Sequence, residues 1–210
     1  NKGIGTLFGN FENIQAREVS VVGAGVAGKE AIRKGIDSGA HVNVLDISSQ
    51  KLKDLEKEFG TDNISYISST SESISVAISK SDLVIGSVYV VGKEAPKVIT
   101  REMLSAMKPG SVLVDISIDQ GGCVETSKPT THDDPVFVEE GVVHYCVTNM
   151  PGAVPLTASL ALNHATLPFI KKIADLGLEK ACASDNHLAN GLNMSNGEIR
   201  HPSVQAALNS

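Results

Sequence analysis

The sequence predicts an α/β fold built on a doubly wound parallel sheet, and two observations predict it. Short apolar runs rich in Val, Ile and Leu alternate along the chain with stretches of helical periodicity. These runs are apolar almost throughout rather than at every second residue, the pattern of strands covered on both faces. The first of them, Val19-Ser20-Val21-Val22, leads directly into Gly23-Ala24-Gly25-Val26-Ala27-Gly28 and a helical stretch, and the next, His41-Val42-Asn43-Val44-Leu45, closes on Asp46. Strand, G-x-G-x-x-G, helix, strand and terminal acid in this order make the βαβ unit of the Rossmann fold.

Each position in that unit has a physical reason. Gly23 permits the tight turn, Gly25 lets the backbone approach a pyrophosphate, and Gly28 lets helix and strand pack together. The phosphates rest on backbone N–H groups at the helix N-terminus, where the dipole favours anions. Asp46, roughly 20 residues beyond the glycines, is placed to accept hydrogen bonds from both hydroxyls of an adenosine ribose. A 2′-phosphate would meet it as a like charge, so the pattern predicts NAD rather than NADP. The alternative is a glycine turn of purely structural use.

Residues 1–18 read as a linker, glycine-rich and without periodicity. After Asp46, Ser48 caps a helix through Leu52, Leu55 and Phe59 that Gly60 ends. Ile64–Ile67 is a third strand, with Ser68 at its end. Ser71 or Ser73 caps the next helix, whose Ile74, Ala77 and Ile78 face inward. Leu83–Gly86 is a fourth strand, and the loop Ser87–Gly92 follows it. Thr100 caps a short helix carrying Met103, Leu104 and Met107. Pro109-Gly110 then turns the chain into a fifth strand, Ser111–Val114. A polar loop runs from Asp115 to Asp134, and Val142–Val147 is a sixth strand. The dinucleotide-binding domain accordingly spans residues 19–155. Residues 156–210 form a helical segment, marked by Leu160, Leu162, Leu167, Phe169, Ile170, Ile173 and Leu176, with Gly177 near the end of its helix.

Parallel sheets of this kind bind ligands at the carboxyl ends of their strands. Gly23, Asp46, Ser68, Ser87–Tyr89, Asp115–Asp119 and Thr148–Met150 stand at those ends. Asp119 follows strand five, where the nicotinamide half of a dinucleotide lies. It is either a proton-transfer group or a loop carboxylate capping backbone N–H groups. Asn149 either offers a donor and an acceptor to a ribose or carboxamide, or is a turn residue ahead of a proline-bounded loop.

Composition narrows the partners. The 210 residues suffice for one α/β domain with additions, and 41% are hydrophobic, enough for a core. The net charge of −6 and the lack of a basic cluster exclude nucleic acid as the expected partner. No apolar run approaches the ~20 residues that span a bilayer, so no membrane is expected. Cys123, Cys146 and Cys182 are scattered, which fits a reducing, cytoplasmic setting and neither a disulfide framework nor a zinc site. His132-Asp133-Asp134 lacks further ligands at fixed spacing and reads as a solvated loop, so no metal is predicted. Cys123 reads as a structural thiol rather than a nucleophile, His144 as a core or interface residue, and Lys51 as a side chain snorkelling along its helix. The chain opens on Asn1 rather than Met, which suggests a fragment.

Four stretches together resemble bacterial alanine dehydrogenase: Gly23–Gly28, Asp119-Gln120-Gly121-Gly122-Cys123-Val124-Glu125, Lys128–Pro135, and Asn149-Met150-Pro151-Gly152-Ala153-Val154-Pro155. The resemblance runs from about Val19 to Leu208. The related transhydrogenase α subunit shares the first stretch, and offers a second reading as a module that passes hydride to another nucleotide. The resemblance to alanine dehydrogenase implies a homohexamer that converts L-alanine reversibly to pyruvate and ammonia with NAD. By the same resemblance, Val26, Ala27, Asp46, Lys51, Ser68, Val88, Tyr89, Ile116, Ser117, Ile118, Asp119, Val147, Thr148, Asn149 and Met150 line the cofactor, and Asp119 matches the catalytic aspartate. The helical segment 156–210 then belongs to a second domain that is mostly absent. The Arg, Lys and His that act on substrate lie in that missing N-terminal part. Leu156 departs from the basic residue expected there. The chain alone is thus expected to bind NAD and turn nothing over.

Overall fold

A computed structural model of the chain describes residues 3–91 and 94–208. Asn1 and Lys2 of the expected linker, Gly92 of the loop after strand four, Lys93, and Asn209 and Ser210 of the tail lie outside the described residues. The chain divides into two compact units: residues 3–90 with 94–148, and Val91 with 149–208.

The first unit is the doubly wound sheet. Its elements run β1 (Glu18–Val22), α1 (Val26–Asp37), β2 (His41–Asp46), α2 (Ser49–Phe59), β3 (Ile64–Ser68), α3 (Ser71–Lys80), β4 (Leu83–Gly86), α4 (Arg101–Ser105), β5 (Val112–Asp115), β6 (Val136–Glu139) and β7 (Val142–Tyr145). The strand order is β3-β2-β1-β4-β5-β7-β6, parallel throughout except for β6, which pairs antiparallel with β7. Strands β2 and β3 are thus laid down to one side of β1 and those from β4 onward to the other, which makes the β1–β4 boundary the switch point where such sheets open a crevice.

Burial explains the continuous apolar runs. Side chains alternate across a strand, and both faces are covered. Val21 and Val44 join Ile32, Leu52 and Leu55 in one core cluster. Val22 and Leu45 join Ile74, Ile78, Val84, Leu104 and Leu113 in the other. The helix stops follow their chemistry. Ser48 accepts a hydrogen bond from the Lys51 N–H and Gly60 ends α2 at a φ of 76°.

Local detail departs from expectation in places. The cap of α3 is Thr70, not Ser71 or Ser73: Thr70 Oγ1 accepts from the Ser73 N–H at 3.0 Å while Ser73 Oγ accepts from the Thr70 N–H at 2.8 Å, a reciprocal capping box. Strand five takes in Asp115, and the polar stretch after it tightens into a 3₁₀ turn over Ile116–Gln120. Residues 136–139 form an edge strand that the sequence pattern does not reveal, being only four residues long.

In the second unit, α5 (Pro155–Leu176) is followed by α6 (Leu178–Ser184), α7 (Asn186–Gly191), the short pair β8 (Met194–Ser195) and β9 (Glu198–Ile199), and α8 (Pro202–Leu208). The helix expected through Leu176 and ended by Gly177 forms as read. None of its side chains is buried, and Leu160, Leu162 and Ile170 are more than half exposed. Asp185 caps α7 and takes Lys172 Nζ at 2.7 Å, tying α5 to it.

Candidate functional site

The switch point is built from backbone. Gly23 ends β1 at a φ of 95°, and a Cβ there would lie 2.6 Å from the Ser87 carbonyl oxygen at the end of β4. A Cβ on Gly28 would fall 2.0 Å from the Gly23 carbonyl oxygen and 2.5 Å from Ser87 Oγ. These two glycines are therefore demanded by packing. Gly25 is different: an added Cβ meets nothing within 4 Å. It caps α1 without a side-chain hydrogen bond, and the first turn carries no acid. The N–H groups of a first helical turn have no acceptor within the helix, so this end suits an anion. Open space over Gly25 is what a bound pyrophosphate requires. Ser87, whose hydroxyl donates to the Gly23 carbonyl, fastens the two strand ends together. Its presence at a strand end is the sole sequence signal for that role.

Asp46 braces the loop from the side. It is 5% exposed. Its Oδ2 accepts from the Ala24 N–H at 2.9 Å and from Lys51 Nζ at 2.9 Å, and its Oδ1 accepts from the Ser48 N–H at 2.9 Å. Burial is the largest influence on this carboxyl and pulls its pKa up; the hydrogen bonds from Lys51, Ser48 and Ala24 together outweigh it and leave the pKa below the ordinary 3.8. Asp46 is thus held ionised. A carboxylate has about four lone-pair positions, and three donors already converge here. Lys51 does not merely lie along its helix, then; it turns back onto the acid. Beside them Ile47 stands 86% exposed and Val26 90% exposed, apolar surface left in solvent next to the acid and the glycine loop. Ile47 was not singled out by the pattern, although it directly follows the acid.

The other expected residues of the first unit stand at the same edge. Ser68 is exposed and pairs in register with Asp46. Val88 is half-buried and accepts the Ser117 hydroxyl on its carbonyl at 2.8 Å; Tyr89 is 66% exposed. Ile116, Ser117, Ile118 and Asp119 make up the 3₁₀ turn after β5, with Ser117 and Ile118 buried and Asp119 exposed. Val147 is buried and Thr148 exposed just past β7. Asn149 and Met150 belong to the second unit. There Asn149 adopts the left-handed conformation (φ 53°, ψ 53°) and Met150 opens a 3₁₀ turn to Ala153.

Cys123 proves a buried thiol, pushed up to about 12 by burial first and then by the charge of Asp115; it is no nucleophile. His144 is fully buried, with Nε2 at 2.7 Å from Thr126 Oγ1 and Nδ1 at 2.9 Å from the Val142 carbonyl. A groove of about 850 Å³ beside α3, lined by Glu18, His41, Asn43, Lys80 and Lys108 among others, includes none of the glycine-loop residues. Among the described residues no helix is long and apolar enough to cross a membrane.

Residues 1–202 match the family described as alanine dehydrogenase/PNT, C-terminal domain. The chain belongs to that family. Within it, the alanine dehydrogenase of Halomonas elongata is 49% identical over 205 residues, 98% of this chain and 55% of the relative. That of Mycolicibacterium smegmatis is 47% identical over 202 residues, 96% of this chain and 54% of the relative. A solved L-alanine dehydrogenase superposes with a TM-score of 0.88 at 43% identity, covering 99% of this chain and 57% of the other. A transhydrogenase from Sinorhizobium meliloti reaches a TM-score of 0.75 at 25% identity, covering 95% of this chain and 55% of the other. This alanine dehydrogenase/PNT C-terminal domain thus spans about half the length of the curated relatives it matches.

Proposed function

We propose that the chain is the NAD-binding half of an enzyme that oxidatively deaminates L-alanine to pyruvate and ammonium, and runs in reverse. The observation that carries the reading is the agreement of two independent features: 47–49% identity to the two alanine dehydrogenases above, and a glycine loop whose one open position, Gly25, is where a pyrophosphate needs room. The transhydrogenase reading has the weaker support, at 25% identity.

NAD, when bound, supplies the hydride acceptor. Gly23, Gly25, Val26, Ala27 and Gly28 would hold its phosphates, with Asp46 and Lys51 beside the adenosine ribose. Ser68, Val88, Tyr89, Ile116, Ser117, Ile118, Val147, Thr148, Asn149 and Met150 would line the rest. The charge of Asp46 disfavours a 2′-phosphate, which supports NAD over NADP. Asp119 would take up and return protons at its carboxylate as the amine is lost and water added. The substrate carboxylate needs a cationic clamp, which we assign to the part of the relatives' length that this chain does not span. The assembly in which this occurs we take to be a homohexamer, and its setting the cytoplasm.

Two measurements test the reading. Full-length protein should show alanine-dependent growth of NADH absorbance. The 210-residue chain alone should bind NAD in calorimetry and produce no NADH from alanine, because the orientation of substrate, worth ~7–11 kcal/mol at best, is lost without the clamp. NADH formation by the isolated chain would place the active site elsewhere than proposed.

A further inference from the structure

The loop that carries Asp119 folds around a second, buried aspartate. Asp115 ends β5 and is 0% exposed. Its Oδ1 accepts from the Ser117 N–H at 3.0 Å, and Cys123 Sγ donates to the same oxygen at 3.5 Å. Its Oδ2 accepts from the Cys123 N–H at 2.9 Å and from Ser127 Oγ at 2.6 Å. One carboxylate therefore bonds the backbone on both sides of Asp119, at Ser117 before it and at Cys123 after it. The return of the chain is forced by Gly121 (φ 86°) and Gly122 (φ 77°), and a Cβ on Gly122 would sit 2.7 Å from Asp115 Oδ2. From outside, Lys97 Nζ donates to the carbonyls of Gly121 and Gly122, the latter at 2.9 Å.

Only a carboxylate satisfies this arrangement. Both oxygens face a backbone N–H, which can only donate. An asparagine offers one acceptor and one NH₂, so in either orientation an amide donor would meet one of the two N–H groups and leave it unsatisfied. Cys123 is held in its thiol form by burial, so its S–H also points its proton toward Asp115.

We propose that Asp115 is the positioning residue of the reaction: it closes the 117–123 loop on itself and thereby fixes where the Asp119 carboxylate stands. This rests on the alanine dehydrogenase reading above. Asp115 touches no reacting atom; it acts through Asp119, and the glycine loop that would bind the phosphates is not among its partners.

The test uses the full-length enzyme. Asp115→Asn should lower kcat by ~30–100-fold, the cost of misplacing a proton-transfer group by about an ångström. The Kd for NAD should change far less than kcat, by no more than about tenfold, and amide hydrogen exchange at Ser117 or Cys123 should accelerate. A role in stability alone predicts the opposite split, a lower Tm with wild-type kcat in the folded enzyme, and that result would overturn the proposal. Should Asp115→Asn not fold, Ser127→Ala carries the test. It removes one of the donors and keeps the carboxylate, and it should lower kcat by ~3–10-fold with unchanged NAD affinity; full kcat in Ser127→Ala would overturn the proposal in that case. If wild-type enzyme forms no NADH from alanine, the parent reading falls and the proposal with it, a result distinguishable because it precedes any variant.

Discussion

The same tripeptide, Asp-Ile-Ser, ends β2 at Asp46 and β5 at Asp115, and the two copies are put to different use. In each, the aspartate accepts from the N–H of the serine two residues on, at 2.9 Å and 3.0 Å, a turn that an aspartate makes locally. The remaining partners diverge. Asp46 takes the Ala24 N–H and the Lys51 ammonium and stays at the rim, with Ile47 in solvent. Asp115 takes the Cys123 N–H and the Ser127 hydroxyl and is sealed beneath its own loop. The lesson is that the tripeptide sets the turn, while depth decides the role. The rim aspartate takes three donors, from the glycine loop, from α2 and from the turn beside it; the sealed one takes four, all from the loop that follows it.

The contrast extends to what the two regions present. Around α1 the β1 loop offers backbone, so a side chain there can only obstruct. Gly25→Val should abolish NAD binding by calorimetry and leave circular dichroism unchanged, since the space over Gly25 is open in the fold. Gly28→Ala differs from it in acting on the fold as well. Its Cβ has no room, so it should lower stability by ~1–3 kcal/mol or more. If Gly25→Val keeps wild-type affinity, the phosphates do not lie over this loop.

After β5 the functional unit we propose is a side chain. In the full-length enzyme Asp119→Asn should lower kcat by ~10²–10⁴ and leave the NAD Kd within about tenfold, the reverse of Gly25→Val. Near wild-type turnover would reduce Asp119 to a carboxylate of the loop.

Much of the first region is legible in sequence because its signals are dense and local. The glycines, the β-branched strand and the acid stand at fixed spacing, and the Ser48 cap is adjacent. The region after β5 gives less. Asp115 reads in sequence as the start of a polar loop, since its partners at 123 and 127 form no recognised pattern with it. The edge strand β6 is four residues between Pro135 and Gly141, too short for a period to register. The Thr70 cap was hidden among neighbouring hydroxyls, Ser68, Ser69, Ser71 and Ser73, any of which can accept an N–H. Helical spacing alone leaves Lys51 lying along α2, and its turn toward Asp46 depends on the strand end packed beside it.

Asp46 itself should show both faces of the comparison. Asp46→Ala should weaken NAD binding by ~1–3 kcal/mol and narrow the preference over NADP. It should also lower Tm, because the Ala24 and Ser48 N–H groups lose their acceptor. A wild-type protein that binds NAD and NADP equally would remove the specificity role and leave only the brace.

The smallest effect expected is one of pH, and it separates the regions by where each loosens. Thr126, at the far end of the β5 loop, is held by His144 Nε2. Burial is the main influence on His144 and lowers its pKa below the ordinary 6.5; the charge of Lys128 adds to this, while the Val142 carbonyl, Glu139 and Asp115 oppose it. The folded state therefore keeps His144 neutral where the unfolded chain has begun to bind a proton. Its contribution is complete above 6.5 and declines as pH falls from there toward the lowered value. Asp46 has the same sign on a lower scale, since its contribution is complete above 3.8 and declines below it. Acidification should thus loosen the β5 loop first. Urea midpoints of the full-length protein should fall between pH 7.5 and 5.5, and His144→Gln should flatten that slope. Amide exchange at Thr126 should accelerate over the same interval while that at Ala24 holds. Equal pH slopes in wild type and His144→Gln, or earlier loosening at Ala24, would show that the two strand ends do not differ in this way.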